Sequence, residues 1–284
     1  MKAFIFFLLI SIQSYAQEIL SYNLDIKIDV KPKTILVKGF IDMDFKDKDS
    51  ITFALWKNSS INEISGKDAE IKYEFDTASP PPMYMPNAGN LIISKAKGSR
   101  GNQSILFNYK IDAGLINGWA KSFTEDWIEL NMYSAWFPVY FGDCTSKIII
   151  HIDEGYNVTG SGIISKKKDY WEMLKPWKSF DNVIIASKNL KSKIINENSA
   201  YIQTVYSSSG FSDFDADSVI IECGYVLNLF EKLFGKADTT YLKFVIAPFE
   251  QGGGYSRKNF VRMGTKNFDD YTRNGIAHEI AHFW

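Results

Sequence analysis

Tyr22-Asn23-Leu24-Asp25-Ile26-Lys27-Ile28-Asp29-Val30 alternates apolar and polar side chains without a break. A period of two puts every second side chain on one face, so this stretch reads as a strand with one buried side. Val37 to Phe45 repeats the alternation, and shorter strand-like runs follow at Leu91–Ser94, Ser104–Ile111, Ile148–Ile152 and Val183–Ala186. Turn-forming clusters separate them: Asn58-Ser59-Ser60, Pro80-Pro81-Pro82 and Gly98-Ser99-Arg100-Gly101-Asn102. Many short strands with frequent turns imply an antiparallel sandwich or a saddle-shaped sheet. No internal repeat and no low-complexity tract interrupts the pattern.

The pattern changes near residue 200. Tyr201 to Tyr206 is one more strand. From Asp215 to Phe234, apolar residues recur at Val219, Cys223, Val226, Leu227, Phe230, Leu233 and Phe234, which is helical spacing, and Gly235 follows as a C-cap. Strands are expected at Tyr241–Ala247 and Asn259–Met263, and a helix from Arg273 onward. Strand and helix now alternate, so the expected division is a β-rich domain over residues 17–194 and the first part of an α+β domain over 195–284.

That final helix carries His278-Glu279-Ile280-Ala281-His282, an H-E-x-x-H pattern. Residues i and i+4 lie on one helical face, so His278 and His282 can aim two imidazoles at one metal. Glu279 projects beside that face, placed to take a proton from an attacking water. The chain has three histidines and two fall in this pattern. The plain alternative is an amphipathic helix with two solvated histidines. The third histidine, His151, sits among Ile148, Ile149, Ile150 and Ile152, and reads as a strand residue, not a ligand. A catalytic zinc needs three protein ligands and an open position. Two are in this pattern, so the chain is expected to be a fragment of a longer protein or a truncated product that holds zinc weakly.

Residues 1–16 read as a signal peptide: Lys2, then the apolar run Ala3 to Ile10, then Ser14-Tyr15-Ala16 as a cleavage site before Gln17. The apolar run is shorter than the ~20 residues of a membrane span. The expectation is an exported chain, periplasmic or secreted, with no stable membrane insertion after cleavage; the alternative is an N-terminal anchor. A net charge of −1 supplies no electrostatic case for nucleic acid or an anionic membrane. Lys166-Lys167-Lys168 reads as a solvated turn. Cys144 and Cys223 are the only cysteines and read as two separate buried thiols, although export permits a disulfide.

Three sets of residues resemble the aminopeptidase N-type family of gluzincin metallopeptidases. His278 to Trp284 is similar to that family's H-E-[LI]-A-H-x-W. Gly252-Gly253-Gly254-Tyr255-Ser256-Arg257 stands about 25 residues upstream, where the family has a glycine-rich strand edge. Glu129 precedes Trp136-Phe137-Pro138 at the family's distance between an acidic residue and an aromatic-proline pair. The resemblance implies a β-rich N-terminal domain before a thermolysin-like domain, one Zn²⁺ and a peptide substrate. It implies Glu279 as general base, and strand-like substrate binding along Gly253, Gly254, Tyr255 and Arg257. It also implies a third ligand, a glutamate on the next helix, and a tyrosine further on, both beyond Trp284.

The departures bear on specificity. The family's strand motif is G-x-M-E-N, and its glutamate, which binds a free substrate amine, is replaced here by Ser256. Glu129 would supply the remaining amine-binding carboxylate, or else be an exposed strand carboxylate. Arg257 would read a carboxylate or a backbone carbonyl, or else be solvated. The expected activity is aminopeptidase-like peptide hydrolysis; the alternatives are an endopeptidase, or a secreted β-sandwich binding module without chemistry.

Overall fold

The computed structural model describes residues 19–79, 85–96, 101–197, 200–209, 211–237, 241–249, 253–265 and 272–284. The signal-peptide stretch, Pro80-Pro81-Pro82, Gly98 to Arg100 and Gly252 lie outside these residues. The strands of the first part are β1 (Ile19–Asp29), β2 (Thr34–Asp44), β3 (Ser50–Trp56), β4 (Ser59–Gly66), β5 (Ile71–Asp76), β6 (Ala88–Lys95) and β7 (Asn102–Asp112). They continue with β8 (Ser122–Phe123), β9 (Ile128–Leu130), β10 (Cys144–Ile152), β11 (Asn157–Gly160), β12 (Ile163–Lys166), β13 (Trp171–Ser179) and β14 (Ile184–Ser187). The second part is β15 (Leu190–Glu197), β16 (Ala200–Ser207), helix α1 (Asp213–Phe234), β17 (Tyr241–Ala247), β18 (Gly254–Arg257), β19 (Phe260–Gly264) and helix α2 (Thr272–Ala281).

A seven-stranded sheet in the order β12-β13-β10-β1-β2-β7-β4 forms the largest layer among the described residues. Leu24, Ile26 and Ile28 of β1 face inward with Val37 and Ile41 of β2 and Ile105, Phe107 and Tyr109 of β7, all essentially solvent-free. The alternation in Tyr22–Val30 therefore records one buried sheet face. A three-stranded sheet β3-β6-β5 packs against it through Phe53, Leu55, Leu91 and Ile93. Within these sheets of the first part the described pairing is antiparallel as expected, with one departure: β1 and β10 run parallel, Ser21 beside Thr145 through Ile28 beside Ile152. The Asn58-Ser59-Ser60 cluster is only partly a turn, because Ser59 already opens β4 against Ile111.

A four-stranded sheet β11-β14-β9-β8 connects this layer to the second part. There β15-β16-β17-β19-β18 form a mixed sheet, parallel at its centre, with α1 and α2 packed on one face through Val219, Cys223, Ile276 and Ile280. This is the expected order, a β-rich sandwich and then the start of an α+β unit. Residue 195 lies inside β15, which hydrogen bonds to β16 along its length.

Helix α1 begins with a capping box, Ser212 accepting from the Asp215 N–H and Asp215 from the Ser212 N–H. Gly235 ends it at φ 88°, where a side chain would be strained. Of the residues expected on its apolar face, Leu233 and Phe234 are instead exposed, at 63% and 64%. Cys144 and Cys223 are free and buried, in separate cores. Burial pushes the Cys144 thiol up to about 11 and raises the Cys223 thiol in the same sense, which disfavours the reactive thiolate in both. His151 lies on β10 with Nε2 3.3 Å from Asp25, remote from the second sheet. Lys166 ends β12 over the Trp171 ring, while Lys167 and Lys168 are exposed in the turn.

Candidate active site

Helix α2 presents its apolar residues Ile276 and Ile280 to the sheet, which turns His278 and His282 outward. The two imidazole centroids lie 5.1 Å apart with perpendicular planes. Glu279 points the other way, toward β18, and is 6% exposed. Its carboxylate accepts from the Ser256 hydroxyl at 2.6 Å, and the same oxygen lies 2.8 Å from the Glu279 carbonyl. The strand edge and the motif helix are thus in direct contact. They line one cleft of about 570 Å³ with Tyr133 and Phe180.

β18 pairs antiparallel with β19, Gly254 opposite Met263 and Arg257 opposite Phe260. Gly254 and Ser256 face α2, and Tyr255 and Arg257 face the first part of the chain. At Gly254 a Cβ would sit 2.6 Å from the Arg262 carbonyl and 3.1 Å from Oε1 of Glu279, so a side chain there would press on the carboxylate. Gly253, at φ 97°, sits against the Trp119 indole at the entry to the strand.

The other expected substrate-binding residues have found partners within the chain. Glu129 is 0% exposed. Arg262 contacts both of its oxygens at 2.9 Å, Nε to Oε1 and Nη2 to Oε2. Trp127 Nε1 and the Tyr255 hydroxyl donate to it at 3.1 Å. Glu129 is not among the described residues that line this cleft. The physical reason is burial: a guanidinium inside a strand must find a carboxylate, and Glu129 is the one within reach. Tyr255 lines the cleft but its hydroxyl is committed to Glu129 and Asn131; burial, with the Glu129 charge, raises its pKa well above the usual phenol value.

Arg257 is neither solvated nor turned to an outside carboxylate. Its Nε meets Asp181 at 2.8 Å and its Nη1 donates to the Ser256 carbonyl at 2.7 Å. Phe180 and Tyr255 stack on the guanidinium at 4.9 and 4.8 Å. Burial lowers its pKa, but Asp181 outweighs that and leaves it raised. Asp181 and Arg262 are the buried ion-pair partners beside the site that sequence reasoning missed. Arg262 carried a signal: a charge in the apolar run Phe260 to Met263 requires a buried partner. Asp181 carried none.

Zinc fits the donor types present. Two exposed imidazoles share one helical face, and a buried carboxylate without a basic partner beside it would gain from an adjacent cation. Among the described residues no group of three or more His, Cys, Asp or Glu is placed to hold a metal ion.

A β-rich unit is thus followed by an α+β unit in which an H-E-x-x-H helix lies against a glycine-bearing strand edge. Comparison with solved structures agrees in fold. Native yeast LTA4 hydrolase superposes with a TM-score of 0.67 at 13% identity, over 96% of this chain and 44% of that one. The yeast LTA4 hydrolase complex with bestatin gives 0.65 at 14%, over 96% and 44%. A two-domain M1 zinc metallopeptidase, a mutant bound to L-arginine, gives 0.67 at 9%, over 92% and 64%. The chain thus spans less than half the length of the yeast hydrolases. No family model matches it, and no curated protein matches its sequence.

Proposed function

We propose that this chain carries the strand edge and the first two metal ligands of an exported zinc-dependent peptidase, with Glu279 as general base. The observation that carries the reading is the contact between Ser256 of β18 and Glu279, beside the paired imidazoles of His278 and His282. When bound, zinc supplies a Lewis acid that polarises a carbonyl and makes water nucleophilic near neutral pH. His278 and His282 would hold it. Gly254 leaves room for a substrate backbone to lie along β18, adding a strand. Glu279, fixed by Ser256, accepts the proton from the attacking water and returns it to the leaving amine.

A second reading on specificity is favoured by a particular arrangement. Glu129 is held by Arg262, and serine stands where the family has its amine-binding glutamate, so among the described residues Glu279 is the one carboxylate that lines the cleft. The proposed enzyme therefore does not depend on a free substrate N-terminus, as the endopeptidase alternative requires. The test is hydrolysis of one peptide in free and N-acetylated form by the intact protein that carries this chain. Cleavage of both, abolished by chelation and restored by zinc, is expected. Strict preference for the free amine would overturn the second reading, and chelator-resistant activity would overturn the first.

A further inference from the structure

A second cavity lies away from the motif helix, between the two parts of the chain. It measures about 750 Å³, within the usual range for small-molecule sites. β11, β12 and β13 supply one wall, and β15, β16 and β17 the other. Nothing in the proposed peptidase chemistry uses it.

Register explains its lining. In the parallel pair β16–β17, Tyr201 lies beside Tyr241 and Gln203 beside Lys243. Residues two apart share a face, so all four project into the same space. The Tyr201 and Tyr241 rings stack at 5.0 Å and 20°. Trp177 of β13 comes within 6.4 Å of Tyr241, at 39°. Two stacked tyrosines and a tilted tryptophan thus form one aromatic cluster on the cavity wall.

The charge in this cavity is one-sided. Among its described lining residues the ionisable cations are Lys191 and Lys243, and no aspartate or glutamate is present. Lys191 reaches Asp213 at the surface. Lys243 is 2% exposed, and its Nζ donates to the carbonyls of Gly160 at 2.8 Å and Gly162 at 3.0 Å. An ammonium has three donors. Its partners among the described residues are neutral carbonyls, and burial pushes its pKa down to about 7. In the same wall, Trp177 Nε1 is buried without an acceptor.

A ligand that satisfies this cavity has a flat apolar body for the rings and a single negative charge for the ammonium. We propose that it binds a small planar aromatic carboxylate, packed against the aromatic cluster of Tyr201, Tyr241 and Trp177 and paired with Lys243. A neutral sugar would use the rings but not the charge, and a bare anion the charge but not the rings.

The experiment is calorimetric titration of the intact protein that carries this chain with indole-3-acetate, its neutral isostere indole-3-acetamide, and acetate, in mildly acidic buffer. The aromatic acid is expected to bind saturably and about tenfold or more tighter than the amide, as pairing with a desolvated charge requires. Acetate alone is expected to show no binding. Lys243→Met should bring acid and amide to within about twofold of each other. Gln203→Glu, at a part-exposed position that tolerates a polar change, should weaken the acid and spare the amide, so the proposal stays testable if the first variant fails to fold. Equal affinity for acid and amide, acetate as strong as the aromatic acid, no saturable binding, or acid binding unchanged in the folded variants would each overturn the assignment.

Discussion

Arg262 of β19 grips Glu129 of β9 through two contacts of 2.9 Å, joining residues 133 apart in sequence at a point with almost no solvent. The pair ties the sheet that carries the β18 strand edge to the β-rich part of the chain. Asp181 with Arg257 makes a second such tie, and Lys243 with the Gly160 and Gly162 carbonyls a third.

Removing one member of the first pair strands the other. Arg262→Met should destabilise the fold by ~3–5 kcal/mol, and adding Glu129→Gln should recover much of the loss. Chemical denaturation of wild type, single and double variants measures this. A single-variant loss below about 1 kcal/mol would mean that the contact carries little. Since Glu129 does not line the cleft, Glu129→Ala in the intact enzyme should leave the ratio of kcat/KM for free and acetylated peptides unchanged.

Glu279→Gln should retain zinc and lose turnover by ~10²–10⁴, the usual effect of deleting a general base. His278→Ala should lose the metal itself. Metal analysis beside peptide hydrolysis separates the two, and near-normal activity in the glutamine variant would remove Glu279 from the mechanism.

Ser256→Ala leaves a buried carboxylate without its hydroxyl donor. An unsatisfied group of this kind costs ~1–3 kcal/mol, and the freed side chain should lower kcat more than it raises KM. Ser256→Glu would set a second carboxylate against Glu279 at the position of a 2.6 Å contact. It should cost turnover rather than create a preference for free amines. Steady-state kinetics on both variants decides, and an S256E enzyme that gains free-amine preference at full kcat would show that the strand edge faces substrate differently.

Lys243 should impose a pH dependence on stability. Its folded value of about 7 lies below the unfolded 10.5. Below pH 7 both states hold the proton and the burial penalty is full. Between about 7 and 10.5 the unfolded chain holds more protons, so stability rises with pH by up to ~1.4 kcal/mol per unit. Burial lowers Lys175 in the same sense, so the signal is the difference between wild type and Lys243→Met across that window. Parallel stability curves for the two proteins would show that Lys243 stays charged in the fold.

What could be read from the sequence was local. Tyr22–Val30 declared its strand because one face is buried along its whole length. The pairing of His278 with His282 was legible because helical geometry alone brings i and i+4 together. The strands Ser122–Phe123 and Ile128–Leu130 were not legible: they are too short to show a period and buried on both sides. The fate of Glu129 was not legible either, since its partner stands 133 residues away and only the packed sheets bring them together. A similar limit hid β15, whose alternation belongs to an edge of the second sheet, so that the change of character was read a few residues late.

The parallel pairing of β1 with β10 also shapes how the chain is made. β1 can join β2 at once through a short turn, but its other edge waits for Thr145, about 125 residues later. At synthesis rates of ~5–20 residues per second, that edge stays open for roughly 6–25 s. An unpaired strand edge is a template for misassociation. Slow topological closure of the largest sheet, rather than any weakness in the finished core, sets the interval in which this protein is most exposed to aggregation.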